Sequence, residues 1–150
     1  MLHKFTVLLM AGFLGALSGH ALAVEETPHA IPGGKYVTTA EAKALFDKGA
    51  TFVDARVKAE YVEKHIKGAI NAVYKETKAT TKISKTDPAD TFDEAKLPKS
   101  KTTELVFYCN GSPCWKGYKG ADRAIKAGYK KVYWYRDGML GWGEAKYPMD

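Results

Sequence analysis

Short apolar runs alternate along the chain with segments of helical periodicity. The runs "TFVDAR" (51–56), "ELVFY" (104–108) and "KVYWY" (131–135) predict strands, and "AINAVY" (69–74) predicts one more brief strand. Helices are predicted before, between and after these strands, at residues 38–48, 58–69, 116–127 and 139–145. Because strands alternate with helices, the pattern favours an α/β domain with a mainly parallel sheet.

Capping signals fix the limits of the first helix. Thr38 and Glu41 have the spacing of a capping box, and Gly49 suits the C-terminal cap. Residues 75–101 lack such periodicity and are rich in Lys, Thr, Asp and Pro. They are predicted to form a long connection with one turn of helix near Phe92.

The N-terminal segment has the pattern of a secretory signal peptide. Lys4 supplies a positive charge, residues 5–17 are apolar, and Ala-Leu-Ala at 21–23 is a small-x-small cleavage site. The apolar stretch is short for a membrane span, and no second one approaches spanning length. We therefore expect residues 1–23 to be removed and the protein to lie in a bacterial periplasm, without a membrane anchor; secretion from the cell is the alternative.

Removal of the signal peptide leaves 127 residues, which is enough for one domain with a hydrophobic core. Residues 24–35, with two prolines and two glycines, are predicted to be an exposed lead-in. Residues 36–150 are predicted to form a single domain.

The charge pattern argues against a nucleic-acid partner. Without Lys4 the chain has 22 basic and 17 acidic side chains. Only three of the basic residues are arginines, and the lysines are scattered among acidic residues. Nucleic-acid readers more often have a clustered basic stripe with interleaved aromatic residues. The modest positive field suits small anionic substrates instead.

Both cysteines, Cys109 and Cys114, lie in one loop between a predicted strand and the following helix. A bridge between them would close a very small loop, which removes little entropy from the unfolded chain. Loop amides and the positive end of the helix would instead favour a reactive thiolate, with Lys116 and Lys119 adding charge and Gly111 permitting unusual backbone angles. An inert buried Cys109 is the structural alternative.

Other cysteine chemistry fits the sequence less well. A structural zinc site needs about four ligands, and a thiol hydrolase usually needs a histidine partner. His65 is the one histidine inside the predicted domain, where a structural role is the better interpretation. Redox exchange stays open, although the C-x4-C spacing differs from the C-x-x-C of thioredoxin-like proteins.

The chain resembles the rhodanese-like domain family. The front motif is "TFVDARVKAEYVEKHIKGAINAVY", and the rear motifs are "LPKSKTTELVFYC" and "AGYKKVYWYRDGMLGW". The two halves occur in the expected order, and the resemblance covers residues 36–148. It implies a five-stranded, mainly parallel sheet flanked by helices on both faces.

The resemblance also implies sulfur transfer through a persulfide on Cys109. The donor would be thiosulfate or a similar small anion, and the acceptor cyanide or a thiol. Amides of the substrate-binding loop would hold the donor, and no cofactor or metal is implied. That loop consists of Asn110, Gly111, Ser112, Pro113, Cys114, Trp115 and Lys116.

This loop departs from the family pattern. Cys109 precedes Gly128 by nineteen positions, about two more than in common single-domain members, and the loop lacks an arginine. It resembles a secreted subgroup with a C-x4-C-W loop. A wider loop suits larger anions, as in the phosphatase and arsenate-reductase relatives of the fold, but the missing arginine weakens bidentate oxyanion binding.

Further residues are assigned supporting roles. Asp54 is expected to anchor loop amides, Arg56 to pair with Glu60, and Gly138 to form a glycine turn facing the loop. A purely structural salt-bridge network is the alternative for the first two. Trp115 is the best candidate for substrate contact.

Three functions and three roles of Cys114 stay open at this point. The leading hypothesis is a periplasmic thiosulfate-type sulfurtransferase. The others are a non-catalytic sulfur carrier that docks to a periplasmic partner protein, and a thiol-disulfide protein that uses Cys109 and Cys114. Accordingly, Cys114 would resolve the persulfide, form a protective disulfide or merely pack.

Overall fold

The structure is a computed structural model that describes residues 25–78 and 87–150. The predicted signal peptide, residues 1–23, lies outside the described residues. Within the described part of the chain, no helix combines the length and the apolarity that crossing a membrane requires.

A five-stranded parallel sheet forms the centre of the domain, as predicted. Its strands run in the order β1-β7-β6-β2-β3. A separate antiparallel pair, β4 and β5, lies beside it. The strands are β1 (Lys35–Val37), β2 (Thr51–Asp54), β3 (Ile70–Asn71), β4 (Tyr74–Lys75), β5 (Thr91–Phe92), β6 (Glu104–Tyr108) and β7 (Lys131–Tyr135).

Helices cover both faces of this sheet. They are α1 (Thr39–Asp47), α2 (Lys58–Glu63), α3 (Trp115–Lys126) and α4 (Gly138–Glu144), with a 3₁₀ turn at Glu94–Lys96. Because side chains alternate along a strand, Leu105 and Phe107 of β6 pack on the α3 side while Val106 and Tyr108 pack on the side of α1 and α4. The central strands β2, β6 and β7 are largely buried on both faces, which explains their continuous apolar runs.

The first helix begins where its capping box predicts. The Thr38 side chain accepts a hydrogen bond from the Glu41 N–H, and the Glu41 carboxylate accepts one from the Thr38 N–H. Gly49 follows the helix with a φ of 82°, a left-handed conformation that glycine adopts without strain.

Two predicted elements, the second helix and the helical turn near Phe92, have different bounds in the structure. Helix α2 ends at Glu63, well before residue 69, because the backbone of His65 pairs in both directions with Asp150. Phe92 belongs to strand β5, and the helical turn follows at Glu94–Lys96. The strand at Lys35–Val37 was not predicted from the apolar pattern.

The description of residues 24–35 as an exposed lead-in is wrong for part of the segment. Thr27 is 2% exposed and Ile31 is 5% exposed. Ile31 packs into the core on the α3 side, and Thr27 is held against the loop that carries both cysteines.

Candidate active site

Cys109 lies immediately after β6, at the carboxyl edge of the parallel sheet, and is 1% exposed. Cys114 is the N-cap residue of α3 and is partly exposed. The two side chains form a disulfide, with 6.0 Å between their Cα atoms. The two sulfur atoms that the sequence analysis considers for thiolate or redox chemistry are therefore bonded to each other in this structure.

The carbonyl groups of Cys109, Asn110 and Gly111 all accept hydrogen bonds from backbone N–H groups. At the start of α4, the Met139 N–H donates to the Cys109 carbonyl at 2.9 Å and the Leu140 N–H donates to the Asn110 carbonyl at 3.0 Å. The Gly111 carbonyl accepts from the Cys114 N–H at 3.0 Å, which closes a turn.

The orientation of these carbonyls determines that of the neighbouring amides. In a trans peptide the C=O and the next N–H point in opposite directions. The N–H groups of Asn110 and Gly111 therefore point away from α4, and the N–H of Ser112 points away from the turn. Within the described residues none of these three N–H groups has a protein acceptor. We call them the amide cradle, because N–H groups without a protein acceptor are available to donate to a thiolate or an oxyanion.

Gly138 permits the close approach of α4 to the loop. Its φ is +53°, and its backbone lies against the carbonyl group of Cys109. Gly111 differs from its predicted role, since its φ is not in the left-handed region and a Cβ there would make only ordinary contacts, the nearest at 3.7 Å.

Asp54 and Arg56 form a buried ion pair beside the loop. Arg56 Nη2 lies 2.6 Å from Asp54 Oδ2, and both side chains are nearly inaccessible. Burial opposes the charge of Arg56, but the hydrogen bonds and charge of Asp54 outweigh it and raise the pKa of the guanidinium. Arg56 also donates to the Lys64 carbonyl at 2.6 Å and to Asn110 Oδ1 at 3.2 Å.

The contacts of Asp54 and Arg56 differ from those expected from the sequence. Arg56 pairs with Asp54, because that carboxylate is buried next to it, and Glu60 instead accepts from Asn110 Nδ2 at 2.6 Å. Asp54 Oδ1 accepts from the Arg56 N–H and does not anchor the amides of residues 110–116. The pair thus acts on the loop through the Asn110 side chain.

The comparisons with known proteins agree with this geometry. Residues 38–145 match the family model described as Rhodanese-like domain. The chain belongs to this family. No curated protein matches it at a significant level.

Solved structures show the same rhodanese-like fold. The rhodanese-like domain of an Anabaena sp. protein has a TM-score of 0.57 at 18% identity, with 77% of this chain and 77% of that chain covered. A thiosulfate sulfurtransferase from Pseudomonas aeruginosa gives 0.56 at 22% identity, covering 78% of this chain and 20% of that chain. A human single-domain sulfurtransferase gives 0.52 at 24%, covering 73% and 95%.

Trp115 is largely buried in this rhodanese-like loop. It is 6% exposed, it is the first residue of α3, and its ring packs edge-on against Tyr118. Its Nε1 donates to the Glu25 carbonyl at 2.8 Å. The chain before β1 covers the indole, which the sequence gave no reason to expect.

Lys119 does not add positive charge to the loop either. It is fully buried, and its Nζ lies 2.8 Å from Glu76, whose side chain is 5% exposed. Because the two opposite charges lie so close together, their electrostatic effects on a bound substrate largely cancel. Lys116 is partly exposed and lines a cleft at the loop.

That cleft, of about 340 Å³, reaches one of the two sulfur-bearing residues. Its lining consists of Glu76, Asn110, Pro113, Cys114, Trp115 and Lys116. Cys109 is not part of the lining. In this disulfide-bonded state an external reactant would therefore meet Cys114 first.

Residues 25–28, which we call the strap, are functional-site residues that sequence reasoning missed. The Thr27 N–H and hydroxyl both donate to the Ser112 carbonyl, at 3.0 and 2.6 Å. Arg136 holds the strap from the end of β7, with Nε donating to the Thr27 carbonyl at 2.7 Å and Nη2 bonded to Glu26. The segment has no periodicity that could have revealed these contacts.

Two further findings concern alternative chemistry. Among residues 25–78 and 87–150, no three His, Cys, Asp or Glu side chains gather into a set that could hold a metal. His65 stacks on Tyr61, with ring centroids 3.9 Å apart, and its Nδ1 bonds the Tyr61 carbonyl at 2.8 Å. This is the environment of a structural histidine.

Proposed function

We propose that this rhodanese-like protein is a sulfurtransferase of the periplasm, active after removal of residues 1–23. It moves a sulfane sulfur from thiosulfate or a similar small anion to cyanide or a thiol, with Cys109 as the nucleophile. The observation that carries the proposal is the amide cradle: three N–H groups without protein acceptors among the described residues, on the three residues that follow Cys109.

The chemistry of one turnover balances without a cofactor. The Cys109 thiolate attacks the outer sulfur of thiosulfate, the S–S bond of the donor breaks, and sulfite leaves with the electron pair. The resulting Cys109 persulfide is anionic, and the amide cradle stabilises it as it forms. Cyanide then takes the outer sulfur as thiocyanate and regenerates the thiolate.

The disulfide sets a condition on this activity. Cys109 cannot form a thiolate while it is bonded to Cys114, and the thiolate is the nucleophile that attacks a donor. The reduced protein is therefore the competent form. Lys116, at the cleft, supplies the positive charge that would attract an anionic donor.

The Cys109–Cys114 disulfide also favours a second candidate function. A Cys109–Cys114 pair that opens and closes would serve thiol-disulfide exchange with a protein partner in the periplasm. A sulfur carrier that loads Cys109 but hands the sulfur only to a docked partner is the remaining alternative.

One experiment separates these functions. The reduced, desalted Cys114→Ser variant is incubated with thiosulfate and weighed intact, and the reduced wild type is assayed for thiocyanate after addition of cyanide. The proposal predicts a gain of one sulfur atom and catalytic thiocyanate, both abolished by Cys109→Ser. Sulfur uptake without turnover would identify a carrier, and no uptake at all would favour the redox function.

A further inference from the structure

The two sulfur atoms of the loop differ in access and in surroundings. Cys109 is 1% exposed, and the three residues of the amide cradle follow it directly in the chain. Cys114 is partly exposed, is the N-cap residue of α3 and lines the cleft. A buried sulfur next to a reachable one suits two different chemical steps.

The loop backbone already holds the two cysteines at bonding distance. The hydrogen bond from the Cys114 N–H to the Gly111 carbonyl folds the chain back toward Cys109. Their Cα atoms are 6.0 Å apart, inside the ordinary range of disulfides. On the far side of the turn, Thr27 fixes the Ser112 carbonyl with two hydrogen bonds. The hydrogen bonds of the loop backbone are therefore compatible with the bond between the two sulfur atoms.

We propose that Cys114 is the internal acceptor of the sulfur bound to Cys109, so that the protein reduces the sulfane sulfur to sulfide. This inference rests on the proposed function. The Cys114 thiol gives its proton to the outer sulfur of the anionic Cys109 persulfide and attacks the inner sulfur; the bond between the two persulfide sulfur atoms breaks, and hydrosulfide leaves with the electron pair. Starting from thiosulfate and two thiols, the products are sulfite, sulfide and the Cys109–Cys114 disulfide. The two thiols supply both electrons.

An external thiol then reopens the disulfide at Cys114. That sulfur belongs to the partly exposed residue at the cleft, and attack on it expels the Cys109 thiolate. A thiolate stabilised by nearby amides is the better leaving group. The exposure of Cys114 and the stability of the Cys109 thiolate as a leaving group thus both direct the external thiol to Cys114. The disulfide in this structure is then one stage of a reaction cycle.

The test uses full mature protein that has been reduced and desalted, then given thiosulfate without an acceptor. The wild type should release about one equivalent of sulfide and end two hydrogens lighter than the reduced protein. Cys114→Ser should keep one added sulfur and release no sulfide. Cys114→Ala serves as the matched variant, because serine could add a capping hydrogen bond that the Cys114 side chain does not make.

The outcomes separate the two proposals. A wild type that keeps a stable added sulfur and releases no sulfide, like Cys114→Ser, would overturn the role of Cys114 and leave the sulfurtransferase intact. No sulfur uptake by either serine or alanine variant, together with no thiocyanate from the wild type, would overturn the proposed function itself.

The reopening step has its own readout. Oxidised wild type is treated with glutathione, and free thiols are trapped at once with excess N-ethylmaleimide. Peptide mapping should place glutathione on Cys114 and the maleimide on Cys109. Glutathione on Cys109 instead would overturn this step.

Discussion

Gly138 lies so close to Cys109 that a Cβ atom on Gly138 would stand 2.2 Å from the Cys109 carbonyl oxygen. No real Cβ contact is that short, and the φ of +53° at Gly138 is also unfavourable for a side chain. The same carbonyl accepts the Met139 N–H. The Met139–Cys109 hydrogen bond also sets the direction of the Asn110 N–H, which belongs to the amide cradle. The close approach of Gly138 therefore couples α4 to the residue that carries the reacting sulfur.

Gly138→Ala should therefore lower both stability and sulfur loading. We expect a loss of about 1–3 kcal/mol in the free energy of unfolding by urea, with slower uptake of sulfur from thiosulfate. Gly143→Ala is the matched control in the same helix, because a Cβ there would meet Met149 at an ordinary 3.8 Å. Equal effects of the two substitutions would contradict the special role of Gly138.

Arg56→Ala should be strongly destabilising. It leaves the Asp54 carboxylate buried without its partner, and removal of one member of a buried ion pair costs about 3–5 kcal/mol. Arg56→Lys keeps the charge but cannot reach Asp54, Asn110 and the Lys64 carbonyl together, so an intermediate loss of about 1–3 kcal/mol is expected. Urea unfolding measures both, and a loss below about 1 kcal/mol for Arg56→Ala would refute the interpretation.

The central strands and the first helix were predictable from the sequence for local reasons. Strands β6 and β7 are continuous apolar runs because both of their faces are buried. The capping box of Thr38 and Glu41 acts within one turn of helix. These signals depend only on neighbouring residues, and so the structure reproduces them.

The details of the site depend on distant residues and could not be predicted in the same way. Trp115 is buried by Glu25, 90 positions away, and Lys119 is neutralised by Glu76, 43 positions away. Residue type alone suggested that an indole and an ammonium group in the loop would face a substrate. The structure does bring Arg56 and Gly138 to the loop of Cys109, but the contacts of Arg56 differ from those expected.

Lys119→Met tests the buried pair beside the cleft. Glu76 would be left buried and uncompensated, so we expect a loss of about 3–5 kcal/mol in the free energy of unfolding. The double variant Lys119→Met, Glu76→Leu should recover most of this loss, because no buried charge remains. For comparison, Lys126→Met removes an exposed partner of Asp122 and should cost less than about 1 kcal/mol. A double variant as unstable as the single one would argue against this account.

Asp90 should make stability depend on pH at the β4–β5 pair. Burial raises the pKa of this carboxyl, but hydrogen bonds from the N–H groups of Thr77 and Asp87 and from the Tyr74 hydroxyl outweigh it and lower the pKa. A lowered pKa stabilises the folded state above the ordinary value for Asp, near pH 4, and this contribution is lost as the pH falls further.

Asp90→Asn should consequently cost about 1–3 kcal/mol at pH 7, since an amide cannot accept from all three donors. The difference from the wild type should shrink below about pH 4, as measured by urea unfolding at a series of pH values. Asp93→Asn is the control, because Asp93 is exposed. A difference for Asp90→Asn that is constant with pH would show that the charge is unimportant.

Truncation to Ala30 as first residue should loosen the cysteine loop, because it removes the whole strap. Ser112 loses two hydrogen bonds from Thr27, each worth about 1 kcal/mol. We expect the equilibrium constant for the Cys109–Cys114 disulfide against glutathione to fall by roughly tenfold or more. Trp115 fluorescence should shift to the red, since the indole loses the Glu25 carbonyl that covers it.

The control for the truncation is His29→Ala. His29 is exposed and stacks on Tyr36, with centroids 5.1 Å apart, so its loss leaves the strap contacts in place. Both variants are compared under conditions where circular dichroism shows them folded. If the truncated protein forms the disulfide as readily as His29→Ala does, the loop holds its cysteines together without the strap. In that case the turn closed by Gly111 and Cys114, with the two amides of α4, would be sufficient to position both sulfur atoms.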